Sequence, residues 1–217
     1  MIASTEQTKN RKSNYSHAPL HNSSLEQYET FSTRTENKRA PGEEGVFILV
    51  LMDMMLFMII FCSYFYERAK NPDSFTQSQS SLSVSAGIFN TLILLTSSWF
   101  IVLAIRSLSR LNRRTCMMFI LLTLACSLAF SISKILEYKE KLSAGISMLT
   151  NDFFMFYYMI TGLHFMHVLI GSIVLIVMLF RIKNGSSGVH GLESSATFWH
   201  MVDLLWIIIF PLLYIMR

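Results

Sequence analysis

Large apolar residues fall in five long runs that short polar connections separate. The runs are Val46–Tyr66, Leu82–Ile105, Thr115–Tyr138, Phe153–Phe180 and Ala196–Met216. Each run has about 20 residues or more, which lets an α-helix cross a hydrocarbon core about 30 Å thick. Backbone groups in lipid must bond within their own segment, which favours helices. The pattern therefore predicts an all-α, polytopic membrane protein: a bundle of five transmembrane helices, with antiparallel neighbours because the connections are short.

The first 45 residues have a different character. They are rich in Ser, Thr and Asn and hold few large apolar side chains. Such a segment buries too little surface to order itself, so residues 1–45 are predicted to be a disordered cytoplasmic tail and residues 46–217 the transmembrane domain. The tail has no apolar core of a cleavable signal peptide, and its glutamates argue against a transit peptide.

Composition places the whole chain in the membrane class. Hydrophobic residues make up 52% of the chain and charged residues only 15%. A soluble enzyme of this length could not hide that much apolar surface. The net charge of +4 does not indicate a nucleic-acid partner, since the basic residues lie mostly beside apolar runs. Membrane lipid is the expected surrounding.

Lysine and arginine are distributed unequally between the connections. One side carries Lys9, Arg11, Lys12, Arg34, Lys38, Arg39, Arg106, Arg110, Arg113, Arg114, Arg181 and Lys183. The other side carries only Arg68, Lys70, Lys139, Lys141 and Arg217. Because basic loops stay in the cytoplasm, the N-terminus is predicted to be cytoplasmic and the C-terminus periplasmic.

Ionisable residues inside the apolar runs are the candidate functional residues, because each is costly in lipid. The predicted buried polar network consists of Asp53, Glu137, His164, His167, His200 and Asp203. His200 and Asp203 are three residues apart and so rise from one helix face. They are predicted to bond to each other, which would bury both without an isolated charge, with Asp53 as their neighbour at similar depth.

Other polar positions have simpler interpretations. Lys134 and Glu137 are interpreted first as a pair at the membrane surface, with the lysine head reaching water. The small and polar positions from Gly87 to Ser97 recur at helical spacing and predict helix–helix packing.

The sequence offers little for a metal or cofactor. Only His164, His167 and His200 lie in apolar runs, too few for a haem-copper centre, and two histidines at i, i+3 are weak evidence for haem or metal. Three cysteines, Cys62, Cys116 and Cys126, show neither metal spacing nor a disulfide framework. No catalytic residue, metal or cofactor is predicted.

Several motifs resemble one known family. "TGLHFMHVLIGSIVLIV" and "FWHMVDLLWIIIFPLLY" resemble the last two helices of the haem-copper oxidase subunit III family, also called cytochrome c oxidase subunit III. "FNTLILLTSSW" resembles its second core helix and "LEY" the end of its third. The resemblance runs from about Pro41 to the C-terminus, with the motifs in family order. The long form of the family has seven helices, and the five predicted here resemble its shorter, quinol-oxidase form.

The resemblance implies a role without catalysis. Subunit III carries no haem or copper, packs against the catalytic subunit and is implied to protect turnover and proton uptake. The long form has a glutamate in its first core helix where this chain has Asp53, an acid one methylene shorter. The expected function is that of an accessory subunit of a respiratory haem-copper complex in a bacterial inner membrane.

Within that role, several alternatives remain open. "PGEEGVFILVLMDMMLF" and "LLTSSW", with the last helix, most closely resemble the branch associated with nitric oxide reductase, so the resemblance implies a complex of that kind as the main expectation. The alternative is subunit III of an oxygen-reducing cytochrome c or quinol oxidase. Outside the family, a proton-coupled carrier would use Asp53 and His164, although no internal repeat supports it. A b-type cytochrome would use His164 or His167.

Overall fold

The computed structural model describes residues 41–185 and 189–216, with side chains from residue 45 onward. Its helices are α1 (Pro41–Lys70), α2 (Pro72–Gln79), α3 (Val84–Ser109), α4 (Arg113–Ser143), α5 (Asp152–Lys183) and α6 (Val189–Phe210), and a π-helical turn follows at Pro211–Ile215. No strand occurs in these ranges. All helices except α2 are long and apolar enough to cross a membrane. The predicted all-α, five-helix class is confirmed.

The helices extend beyond the apolar runs that predicted them. Polar side chains cap the N-termini of two of them. The Asn112 side chain accepts a hydrogen bond from the backbone N–H of Thr115, and the Asn151 side chain accepts one from the backbone N–H of Phe154. The last helix begins at Val189, seven residues before the predicted start, since residues near the membrane surface can continue a helix without being apolar. Helix α1 begins at Pro41, so only residues 1–40 of the predicted tail lie outside the described residues.

A short helix that the sequence reasoning missed closes one end of the bundle. Helix α2 lies in the polar connection between the first two apolar runs, where no helix was predicted. Its Phe75 is buried, and the Phe75 ring meets Tyr64 and Phe153 edge-on, with centroids 5.5 and 5.8 Å away. At the same end, the Asn151 amide donates to Ser78 Oγ over 2.7 Å. The first connection therefore folds back onto the helix ends.

The five long helices differ in how deeply they are buried. In the most apolar stretch of α1 only 6% of the residues are buried, whereas in that of α6 61% are. Helix α6 is therefore central and α1 peripheral. The exposed side of α1 is apolar, with Met52, Met55 and Met58 among its outward residues. Such a surface matches lipid tails.

Two glycines allow α6 to approach its neighbours closely. A Cβ atom at Gly171 in α5 would lie 2.9 Å from Trp199 Cε3, and one at Gly87 in α3 would lie 2.5 Å from Phe210 Cε2. The α3 positions Gly87, Asn90 and Ser97 are all buried. The predicted packing role of this stripe is confirmed.

Candidate functional site: polar groups inside the bundle

A buried cluster of polar side chains lies where α4, α5 and the π-helical turn meet. Lys134 Nζ is 2.9 Å from Glu137 Oε2 and donates to the Tyr214 hydroxyl over 2.7 Å. The other carboxylate oxygen of Glu137 accepts from Tyr157 OH at 2.7 Å and from Tyr214 OH at 2.6 Å. Lys134 Nζ also lies 4.8 Å from the centroid of the Trp206 ring. We call Lys134, Glu137, Tyr157 and Tyr214 the Lys134 cluster.

The Lys134 cluster corrects the interpretation of Lys134 and Glu137 as a pair at the membrane surface. The Lys134 residue is only 1% exposed, so its head does not reach water. Aromatic rings surround it and direct its ammonium group inward onto Glu137. Each charged group has its opposite charge and further hydrogen bonds, which is the arrangement that makes buried charge tolerable. The cluster connects three chain segments through one ion pair.

A second polar pair joins the peripheral helix α1 to α5. Asp53 Oδ2 lies 3.4 Å from His167 Nε2, and the two side chains are 22% and 11% exposed. The other ring nitrogen, His167 Nδ1, lies 2.8 Å from the Leu163 carbonyl oxygen. Because a carbonyl only accepts, Nδ1 carries a hydrogen and Nε2 faces the carboxyl group. Asp53 and His167, two of the predicted site residues, are thus brought together.

The predicted bond between His200 and Asp203 is absent from the structure. His200 Nδ1 lies 2.6 Å from Ser98 Oγ on α3. Both oxygens of the buried Asp203 lack a hydrogen-bond partner within the described residues, although the Ser98 side chain is near. A serine on the neighbouring helix α3 therefore takes the place that Asp203 was predicted to fill beside His200. Asp53, predicted to join them, is paired with His167 instead.

His164 occupies an apolar site in the middle of the bundle. It is fully buried, and neither ring nitrogen has a hydrogen-bond partner among the residues that the structure describes. The Phe130 and Trp206 rings lie 5.8 and 5.2 Å from it, centroid to centroid. Within residues 41–185 and 189–216, no three His, Cys, Asp or Glu side chains gather as a metal site would require.

The six predicted site residues therefore do not form one connected network. Glu137 belongs to the Lys134 cluster, and Asp53 pairs with His167. His200 forms a hydrogen bond with Ser98. The side chains of His164 and Asp203 have no hydrogen-bond partner in the described part of the chain. Sequence reasoning missed the partners Ser98 and Tyr214. Tyr157 stands in the sequence at helical spacing from Thr161 and His164, which is a signal that could have found it. Nothing in the local sequence marks Tyr214, since the π-helical turn sets its direction.

We expect Asp203→Leu to leave the stability of the isolated chain unchanged or to raise it. A buried polar group without a hydrogen bond contributes no favourable contact, and replacing it with an apolar group of similar shape removes a desolvation cost. Thermal unfolding of the detergent-solubilised chain tests this, with Leu205→Met as a volume-conserving control on the same helix. A clear loss of stability for Asp203→Leu alone would show that the carboxyl group has a partner, such as a bound water molecule.

A bundle of membrane-spanning helices with paired polar groups inside defines the chain as a multi-pass membrane protein. Residues 28–217 match the family model described as cytochrome c oxidase subunit III. The chain belongs to this family, as the resemblance of the helix motifs predicted.

Individual proteins similar to this chain carry names of the same family. "Cytochrome c oxidase subunit 3" of Schizophyllum commune is 28% identical over 179 residues, 78% of this chain and 66% of the relative. "Probable cytochrome c oxidase subunit 3" of Rickettsia prowazekii is 36% identical over 135 residues, 58% of this chain. "Heme-copper oxidase subunit I+III" of Aeropyrum pernix is 26% identical over 181 residues, 79% of this chain. The chain spans 46% of the Rickettsia relative and 22% of the Aeropyrum relative.

Proposed function

We propose that the chain is the non-catalytic subunit III of an oxygen-reducing terminal oxidase of the haem-copper family, one that uses cytochrome c or quinol. The observation that carries this proposal is the family match over residues 28–217, with relatives named as subunit 3 of cytochrome c oxidase. The geometry is consistent with a supporting role. The ring of His164 packs against the rings of Phe130 and Trp206, and His167 and His200 contact protein side chains.

The proposed partner is the catalytic haem-copper subunit. The Aeropyrum pernix relative is named as subunits I and III together, so in that protein the two parts share one chain. Membrane lipid is the second proposed partner, because α1 exposes a continuous apolar surface. Assembly, stability and proton uptake of the complex are the properties we expect this subunit to support, with no chemistry of its own.

A second candidate is the same role in a complex associated with nitric oxide reductase. It rests on the likeness of "PGEEGVFILVLMDMMLF" and "LLTSSW" to that branch of the family. The names of the relatives favour the oxygen-reducing complex instead. Oxygen and nitric oxide consumption by the purified complex would separate the two candidates.

Removing this subunit should lower the yield, lifetime or turnover of the complex and leave its haem content per catalytic subunit largely intact. The reason is that the proposed role supports the catalytic subunit without binding its cofactors. The measurement is a mild-detergent pull-down of the tagged chain with haem staining, followed by spectra and turnover of the complex with and without it. Full respiratory activity from this chain alone, with haem bound, would refute the proposal.

Two functions of other classes have weaker support. A carrier with Asp53 and His164 as a proton relay would need a hydrogen-bonded path between the two groups. Asp53 pairs with His167, and neither ring nitrogen of His164 has a hydrogen-bond partner among the described residues. A b-type cytochrome would need an open histidine nitrogen, whereas His164 is enclosed and His167 is engaged at both nitrogens. An absorption spectrum of the purified chain tests the second, since a Soret band would favour it.

We also propose that the protein lies in a bacterial cytoplasmic membrane with its N-terminus in the cytoplasm. The support is the basic bias of the connections, above all the arginines from Arg106 to Arg114. A periplasmic reporter fused after Arg217 should be active, and the same reporter inserted between Arg106 and Arg114 should be inactive. The reverse pattern of activity would invert the topology.

A further inference from the structure

Basic side chains gather at one end of the bundle, where α3 ends, α4 begins and α5 ends. We call six of these residues the arginine patch: Arg106, Arg110, Arg113, Arg114, Arg181 and Lys183. All six are exposed, and each lies within a turn of a helix end. The Arg113 guanidinium reaches the turn that follows α5, since a Cβ atom at Gly185 would lie 3.0 Å from its Nη1. The patch therefore spans two connections of the chain.

The positive charge of the arginine patch is not neutralised within the described residues. None of its side chains forms an ion pair with a carboxylate there. The acids of this end are Glu43, Glu44 and Glu193, and Glu193 Oε2 lies 3.4 Å from His190 Nδ1. Two of the arginines also stand in the first turn of α4, where the helix dipole is positive and disfavours a cation. The patch therefore favours the binding of an anion.

The opposite end of the bundle carries a balanced set of charges. Its described bases are Arg68, Lys70, Lys139 and Lys141, and its acids are Glu67, Asp73, Glu140 and Asp152. The tendency of basic loops to stay in the cytoplasm counts lysine and arginine alike. It accounts for the excess of charge in the arginine patch. It does not account for the choice of arginine at five of the six positions, against one of four at the opposite end.

The preference for arginine points to phosphate as the anion. A guanidinium group presents a fixed fork of N–H donors that binds phosphate oxygens in pairs, whereas a lysine ammonium is a point charge. The ends of membrane-spanning helices lie at the level of the phospholipid headgroups. Basic sites at that level bind anionic headgroups.

Exposed apolar side chains continue from the arginine patch along the helices. Leu111, at the tip of the turn between α3 and α4, is 90% exposed. Met118 follows Arg114 by four residues and Val177 precedes Arg181 by four, so each lies one turn deeper on the same side of its helix. These two apolar residues are 52% and 50% exposed. A ligand that matches the whole surface has a phosphate head and apolar tails.

We propose that the arginine patch binds the phosphate group of an anionic phospholipid in the leaflet at this end of the bundle. The acyl chains lie beside the exposed apolar residues of α4 and α5. This site is separate from the apolar surface of α1, which selects no particular headgroup. It is also independent of the complex to which the chain belongs, because every residue that forms it is part of this chain.

Lipid binding to the full chain in detergent tests the site. Dioleoylphosphatidylglycerol and dioleoylphosphatidylcholine have the same tails, but only the first has a net negative headgroup. Native mass spectrometry at graded lipid concentrations counts the bound molecules. The phosphatidylglycerol should bind about 5- to 30-fold more tightly, the effect of one to two basic residues near an anionic headgroup. This advantage should shrink as salt is raised, because the charges are exposed.

Two double variants with the same loss of charge locate the site. Arg110→Gln with Arg114→Gln should lose most of the preference for phosphatidylglycerol. Lys70→Gln with Lys139→Gln, which changes two exposed lysines of the opposite end, should keep it. Arg110→Lys with Arg114→Lys keeps the charge and should lose part of the preference, because lysine lacks the fork. The melting temperature of each variant reports folding, and the lysine variant decides if the glutamine variant does not fold.

Several results would overturn the proposal. Equal binding of the two lipids by the wild-type chain refutes a headgroup site. A full preference in both arginine variants, or an equal loss in the two glutamine variants, shows that the patch is not the site. Inorganic phosphate, compared with chloride at equal ionic strength, should raise the melting temperature by less than phosphatidylglycerol does. An equal rise would show a site for a free ion and refute the lipid.

Discussion

Glu137→Leu should be among the most destabilising single changes in this protein, at a cost of about 3–5 kcal/mol. It removes the only carboxylate that bonds to Lys134 among the described residues. It also removes the acceptor of the Tyr157 and Tyr214 hydroxyls. A buried ammonium without its counter-charge is far more costly than the ion pair itself was worth. Thermal and denaturant unfolding of the detergent-solubilised chain would measure the loss.

A double variant and a surface pair make this test specific. Lys134→Met with Glu137→Leu removes both charges and should recover most of the loss, since apolar replacements of a buried ion pair are often neutral or stabilising. Glu67 and Lys70 form a pair at the same i, i+3 spacing and the same 2.9 Å distance, but they are 30% and 48% exposed. Glu67→Leu should therefore cost less than about 1 kcal/mol. Equal costs for Glu137→Leu and Glu67→Leu would contradict the role assigned to the Lys134 cluster.

Gly171→Ala should destabilise the bundle by about 1–3 kcal/mol, the usual cost of overpacking a core. The added methyl group would lie 2.9 Å from Trp199 Cε3 and 3.1 Å from Cζ3. Trp199 is fully buried, and its Nε1 donates to Ser97 Oγ over 3.1 Å. The indole therefore cannot move aside without losing this bond or displacing its neighbours. Unfolding of the purified chain would measure the effect.

Gly162 provides the matched control on the same helix α5. A Cβ atom there meets nothing within 4 Å, so Gly162→Ala adds no clash. Alanine is the better helix former by up to about 1 kcal/mol, so this variant should be neutral or more stable. The two substitutions are chemically identical and should have opposite signs. A stabilising Gly171→Ala would show that α5 and α6 are not packed as closely as the structure has them.

Much of the fold follows from local properties of the chain. A run of apolar residues long enough to span lipid becomes a helix wherever it occurs, because its backbone has no other way to bond in lipid. This is why the five helices were predicted at the right places, and why their ends were not. Helix ends depend on capping residues such as Asn112 and Asn151, and on how the connecting segments outside the lipid pack against the bundle. Helix α2 is held in place by the packing of the Phe75 ring against Tyr64 and Phe153, which are distant in sequence or lie on other helices.

The polar residues show where sequence reasoning stops. The cost of an ionisable group in lipid identified six candidates for burial. Glu137, His164, His167 and Asp203 are buried, whereas Asp53 and His200 are only half-buried. Which group each one meets was a different question. Helical spacing suggested His200 with Asp203, but Ser98, 102 positions earlier in the chain, lies 2.6 Å from His200. Spacing along one helix says nothing about the side chains that a neighbouring helix brings.

The sequence by itself determined the class of this protein, its five membrane-spanning helices and its family, because hydropathy and motifs are properties of consecutive residues. Only the tertiary structure decided the polar pairs. It pairs Asp53 with His167 on another helix, and the π-helical turn directs the Tyr214 hydroxyl to donate a hydrogen bond to Glu137. It also left His200 half-buried against Ser98 of α3. The physical reason is that such contacts depend on helix rotation and close approach, which are set by packing at positions such as Gly87 and Gly171.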